Sequence, residues 1–316
     1  MIEVVGLTKY YGERRAIADL NFTIEQGHIA GFLGLNGAGK STALKVLAGF
    51  LLPTSGTVRV DGIDIVAEPE AVRSRIGFLP EEPPLYKEMQ VSAFLRYLGR
   101  LRGMERSALE SRLPTVLART GLTDRKDDII GSLSLGYRKR VGIAQAIIHD
   151  PTLVILDEPV SGLDPLQRVE MRKLVAALRG DHTVLISSHN LNEIEETTDK
   201  LLILRDGELV AEGTEDEIHA RLGSGDRLEV DVRGDATAAI ALLSGLPVVR
   251  NVRLVGGAAS GGELALRLAG EDLKLEAEAV ASALVSGGFG LQRLQPGRNE
   301  LEELFLKITG KSEDGQ

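Results

Sequence analysis

Nine consecutive residues, Gly34-Leu35-Asn36-Gly37-Ala38-Gly39-Lys40-Ser41-Thr42, carry the spacing of a polyphosphate-binding loop. The glycines let the backbone wrap close to an anion, so that the amides from Asn36 through Gly39 and the start of a following helix point at it. Lys40 would place its charge on the β- and γ-phosphates of a nucleotide, and the Ser41 hydroxyl, next to Thr42, would be a ligand for Mg²⁺. Further on, Leu153-Val154-Ile155-Leu156 runs into Asp157-Glu158-Pro159, two carboxylates at the end of an apolar run. Asp157 would hold Mg²⁺ directly or through water, and Glu158 could polarise an attacking water as general base. A solvated turn would use the same three residues, and it is the loop upstream that favours the catalytic reading.

These side chains need strands that end together. Ile29–Leu33, Leu153–Leu156, Thr183–Ile186 and Leu201–Leu204 are short continuous apolar runs, the pattern of strands buried on both faces of a parallel sheet. Helical patterns over Ser41–Ala48, Val91–Arg102 and Leu166–Leu178 fall between them. Ile2–Leu7, Leu20–Ile24 and Thr57–Val60, closely separated by Gly and Asp, suit an added antiparallel piece. The expected fold is α/β: a P-loop nucleotide-binding domain over residues 1–222 and a second domain over 223–316. The Arg221–Gly225 stretch is the break between them. The second domain reads βαββαβ: strands over Arg227–Val232, Val248–Val255, Glu263–Leu268 and Leu291–Leu294, and helices over Ala236–Leu243 and Leu273–Leu284. That order suggests a small ferredoxin-like α+β sandwich. Leu301, Leu304, Phe305 and Ile308 mark a final amphipathic helix.

Composition narrows the chemistry. The 316 residues include no Cys and 5 His, which excludes disulfides and Cys-ligated zinc and disfavours a His-cluster metalloenzyme. A formal net charge of −9 offers no overall footprint for nucleic acid, so none is expected as a partner. No apolar stretch approaches the ~18 residues of a membrane helix, and the N-terminus has no basic leader. The expectation is an intracellular protein whose membrane work, if any, is done through a partner.

Leu133-Ser134-Leu135-Gly136-Tyr137 lies ahead of the carboxylate pair. Ser134 can cap the helix that Arg138–Ile148 suggests, and Gly136 allows close approach of a phosphate. A second anion-binding helix start makes sense if it meets a nucleotide held by another copy. With Ser161-Gly162-Leu163-Asp164 and Ser187-Ser188-His189-Asn190, the order and spacing of these segments over residues 1–220 resemble the ATP-binding subunit of ABC transporters.

The resemblance implies ATP and Mg²⁺ as cofactors and a dimer sandwiching two ATP, each between the P-loop of one copy and Ser134 and Gly136 of the other. It implies that Tyr11, rather than Tyr10, stacks on adenine, that Asp164 links the two sites, and that His189 contacts the γ-phosphate and fixes the attacking water. Leu135 and Tyr137 depart from the family's Leu-Ser-Gly-Gly-Gln. Glu81 stands where the family has a glutamine, as a ligand for Mg²⁺ or water. The Leu79-Pro80-Glu81 variant and the ending Leu301–Lys307 are similar to the branch whose permeases are of the ABC-2 type, an exporter branch that includes drug, copper-maturation and gliding-motility systems. The implied partner is such a permease, with the ATPase on the cytoplasmic face of the membrane. Val91–Arg102 would offer the coupling surface, while Pro83–Tyr86 could either dock a partner helix or cover the domain's own core. The rivals are a non-transport ABC ATPase acting on DNA or ribosomes, disfavoured by the lack of coiled-coil, zinc or tandem modules, and a regulator that barely hydrolyses.

Overall fold

The computed structural model describes residues 1–214, 217–218, 227–256, 262–270 and 276–296. The first compact unit, residues 1–218, opens with β1 (Ile2–Tyr11), β2 (Arg14–Ile24) and β3 (Ile29–Leu33). Then come α1 (Lys40–Leu47), β4 (Ser55–Val60), β5 (Ile63–Asp64), α2 (Pro69–Ser74), β6 (Ile76–Leu79), α3 (Val91–Leu101) and α4 (Arg106–Arg119). It continues with α5 (Leu135–Ile147), β7 (Leu153–Leu156), α6 (Pro165–Ala176), β8 (Thr183–Ser188), β9 (Lys200–Arg205) and β10 (Glu208–Gly213).

Two sheets result. A six-stranded sheet in the order β10-β9-β3-β8-β7-β6 is parallel except for β10, and an antiparallel sheet has the order β2-β1-β4-β5. Every residue of β3, β7 and β8 is buried, as strands covered on both faces require. Along β2, by contrast, Leu20, Phe22 and Ile24 are buried and alternate with exposed residues, so that sheet turns one face inward. That face meets the parallel sheet in one core, where Phe22 and Phe32 pack edge to face at 5.4 Å.

The register brings the strand ends level. Leu33 pairs with Ser188, Leu156 with Ile186 and Leu79 with Leu156. The loops after β3, β6, β7 and β8 therefore open at one edge, where ligands sit in such sheets. Helix α5 lies directly on β6. A Cβ on Gly77 would collide with the carbonyl oxygen of Ala146, and one on Gly142 would press on Leu79 and Pro83. Helix α4, which the apolar runs did not point to, buries Leu109, Leu113, Val116 and Leu117, a single helical stripe.

The second unit is described over residues 227–296: β11 (Arg227–Gly234), α7 (Ala236–Ser244), β12 (Val249–Gly256), β13 (Gly262–Gly270), α8 (Ala277–Ser286) and β14 (Gly290–Pro296). Its antiparallel sheet has the order β12-β13-β11-β14, the split-βαβ arrangement expected from the element order. Val230, Val232, Leu266, Ala239, Leu243 and Leu284 form its core. The break at 222/223 and the helix expected over 301–308 lie outside the described residues.

At the opposite edge of the parallel sheet, His149 Nε2 meets the Ile76 carbonyl at 3.1 Å and His182 Nδ1 meets that of Pro151 at 2.6 Å. Burial, reinforced by Arg102, lowers the His149 pKa from 6.5 to about 4, and burial also lowers that of His182. Above pH 6.5 both folded and unfolded chains keep His149 neutral. Between pH 6.5 and about 4 the unfolded chain takes up a proton that the folded one refuses, so stability falls by up to about 3 kcal/mol. Urea denaturation across that window should show the loss, and a His149→Gln variant should show a flatter pH dependence.

Candidate active site

The loop after β3 is shaped by what surrounds it. Gly37 and Gly39 have φ of 88° and 101°, in the left-handed region that other residues enter at a cost of roughly 1–2 kcal/mol. At Gly39 a Cβ would also stand 2.7 Å from the Ala16 carbonyl oxygen. The loop feeds into α1, whose first residue, Lys40, is only 6% exposed. Its ammonium donates to the Gly34 carbonyl at 2.6 Å and lies 3.5 Å from Glu158 Oε1. Burial lowers the Lys40 pKa, opposed by Glu158, Asp157 and Glu81. The lysine is thus a desolvated cation at the focus of three carboxylates, where its field acts at low dielectric.

Both strand-end carboxylates of β7 are buried, Asp157 at 4% exposure and Glu158 at 6%. Asp157 Oδ1 accepts from Ser187 Oγ at 2.7 Å and, more weakly, from Ser41 Oγ at 3.4 Å. Glu158 Oε2 lies 2.9 Å from His189 Nδ1, so its two oxygens face Lys40 on one side and His189 on the other. Glu158 has φ 48°, a strained conformation for a residue with a side chain. Such strain persists only where neighbours hold the peptide. Here Ser187 Oγ accepts the Glu158 amide at 2.9 Å.

Lys40, Glu158 and His189 line one cavity of about 800 Å³, together with Tyr11, Asn36, Gly37, Gly39, Ser41, Thr42 and Glu81. Ala38 and Asp157 are buried, and neither they nor Tyr10 line it. Ser41, Asp157 and Glu81 supply hard oxygen donors, the kind that suits Mg²⁺. Tyr11 is 48% exposed with the Lys9 ammonium 5.6 Å from its ring, leaving an aromatic face at the cavity mouth.

Ser134, Gly136 and Asp164 are elsewhere, in a separate cavity of about 240 Å³. Ser134 caps α5 by accepting the Tyr137 amide at 3.4 Å, and the helix begins at Leu135, three residues before the Arg138 start that the pattern suggested. Asp164 caps α6 by accepting the Gln167 amide at 2.9 Å. A Cβ on Gly136 would stand 2.7 Å from Gln167 Oε1, so that glycine brings the two helix starts together.

Residues 17–161 match the ABC transporter family. A daunorubicin resistance ATP-binding protein of Streptomyces coeruleorubidus is 35% identical over 98% of this chain and 96% of its own length. The chain belongs to the ABC transporter family. It is an ATP-binding subunit of that family and an ATPase. A linearmycin resistance ATP-binding protein of Bacillus subtilis is 31% identical over 99% of both chains, and a bacitracin transport ATP-binding protein of Enterococcus faecalis is 39% identical over 70% of this chain and 71% of its own. Among solved structures, an ATP-binding subunit of an ABC transporter superposes with a TM-score of 0.64 at 32% identity, covering 71% of this chain and 93% of that one.

Some residues of this candidate site carry no signal of their own in the sequence. Ser187 bridges Asp157 and Glu158, yet it stood only as a neighbour of His189. Arg14 and Arg15 line the cavity from the start of β2, and nothing in their spacing marks them. Lys139 is 3% exposed and donates to the Glu158 carbonyl at 2.7 Å, although a lysine in a basic helix reads as a solvated one.

Proposed function

We propose that this chain powers export through a separate ABC-2-type membrane permease, two copies closing around two ATP. The observation that carries the dimer is the separation of cavities. The Ser134–Gly136 helix start lies outside the cavity of its own P-loop, which supports its serving a nucleotide held by another copy. Asp164 shares that second cavity and would join the two sites. The names of the relatives, resistance and transport proteins for antibiotics, favour export.

In this reading Tyr11 stacks on adenine, the amides of Asn36–Gly39 cradle the phosphates, and Lys40 holds the β- and γ-phosphates. Ser41, Asp157 and Glu81 would hold Mg²⁺, which when bound would neutralise phosphate charge. Glu158 takes the proton of a water whose oxygen attacks the γ-phosphorus, the bond to the β-phosphate oxygen breaks, and ADP and phosphate leave. His189, against the Glu158 carboxylate, orients that water and contacts the γ-phosphate. Closure excludes other water, and hydrolysis reopens the pair.

No described helix is long and apolar enough to cross a membrane. The site on the cytoplasmic face would therefore be held through the permease. An apolar groove of about 290 Å³ between Phe50, Phe78, Pro80, Pro84 and Leu98 fits a partner helix, and Phe50 on its rim is 63% exposed. Tyr86 packs on Phe94 and Tyr97 of α3, which ties the Pro83–Tyr86 stretch to this surface.

The test is co-purification from detergent-solubilised membranes. Tagged protein should bring down a multi-span membrane protein in stoichiometric amount, and Phe50→Asp should lose it. Recovery of ribosomes or DNA with no membrane partner would replace the transporter reading with the non-transport one.

A further inference from the structure

Lys139 stands three residues beyond Gly136 on α5, on the helix face that carries Gly142 and therefore rests on β6. Through the pairing of Leu79 with Leu156, β6 and β7 deliver Glu81 and Glu158 side by side just past the strand ends. The lysine points into this place. Its side chain is 3% exposed, and its ammonium donates to the main-chain carbonyl of Glu158 at 2.7 Å. The same carbonyl accepts the Ser161 amide at 3.2 Å, so two donors meet it. Lysine is almost never buried this fully without a partner. Burial lowers the ammonium's pKa, with the charges of Glu81, Glu158, Glu193 and Asp157 opposing.

The backbone explains what the contact does. Glu158, at φ 48°, occupies a conformation that relaxes unless its peptides are fixed. Ser187 holds the amide on one side, and Lys139 reaches the carbonyl on the other. Rotation of this turn would swing the carboxylate away from His189, to which it is now held at 2.9 Å.

We infer that Lys139 is a positioning residue for hydrolysis, fixing the turn that aims the Glu158 carboxylate at the attacking water. This rests on the reading of Glu158 as general base. It differs from the role of Lys40, because Lys139 does not line the nucleotide cavity and should affect turnover without affecting ATP binding.

The full chain, Lys139→Met, Lys139→Gln and Glu158→Gln are compared for steady-state hydrolysis and for affinity towards a fluorescent ATP analogue, with circular dichroism to check folding. Lys139→Met should lower kcat by about 10- to 100-fold, the range for an ångström-scale misplacement of a catalytic group, with nucleotide Kd within twofold of the parent. Lys139→Gln, which keeps a donor on a side chain one bond shorter than lysine's, should show a smaller loss of kcat with the same unchanged Kd. If the Met variant does not fold, the Gln variant decides alone. A parental kcat in the folded variant, or a Kd that worsens in step with kcat, overturns the inference while an inactive Glu158→Gln leaves the general base in place. Undiminished hydrolysis by Glu158→Gln overturns both.

Discussion

Lys40→Met is expected to weaken ATP binding by about 30-fold or more and to abolish hydrolysis. The side chain lies at the bottom of the loop, 6% exposed, with its charge between the Gly34 carbonyl and Glu158. Truncating one partner of a buried, hydrogen-bonded charge pair in a binding site costs about 2–5 kcal/mol, much of it because the other charge is left unpaired, and that corresponds to a factor of about 30 to several thousand. Here the loss is felt twice. The triphosphate would lose its cation, and Glu158 and Asp157 would face it without the lysine between them. Titration with a fluorescent ATP analogue gives the result directly, and an affinity within threefold of the parent would remove Lys40 from the phosphate site.

The second large effect is on turnover alone. Glu158→Gln keeps the shape of the side chain and its contact with His189 but cannot accept the proton of the attacking water. General-base catalysis contributes about 10²–10⁴-fold, so kcat should fall by at least about 10²-fold. ATP affinity should be kept, because the Lys40 contact with the Gly34 carbonyl does not depend on Glu158. Phosphate release under saturating ATP measures the first claim, and the same fluorescent titration measures the second. The pair of variants therefore separates binding from chemistry at two groups 3.5 Å apart.

Much of this site can be read in the chain because its chemistry is contiguous. The P-loop and the Asp157-Glu158 pair each follow an apolar strand, so residue type and element agree within a few positions. Buried runs such as Leu153–Leu156 announce a parallel sheet, and the alternation in the last third announces the antiparallel one. What stays hidden is what depends on packing across the fold. Ser187 and Lys139 reach Glu158 from 29 and 19 residues away, and neither carries a local signal. Helix α4 has its stripe at Leu109, Leu113, Val116 and Leu117, but Pro114 within it reads as a breaker. The Ser134 cap was legible as a cap, whereas its distance from the P-loop cavity exists only in three dimensions.

The claim that one copy's Ser134–Gly136 helix start completes the nucleotide site of another is tested most directly by light scattering. Glu158→Gln protein would be measured with and without saturating Mg²⁺-ATP, alongside the same protein carrying Ser134→Arg. The account predicts the mass of two chains with ATP, of one chain without it, and of one chain under both conditions when Ser134 is replaced. A single-chain mass at saturating ATP, or an ATP-dependent dimer indifferent to Ser134→Arg, would contradict it.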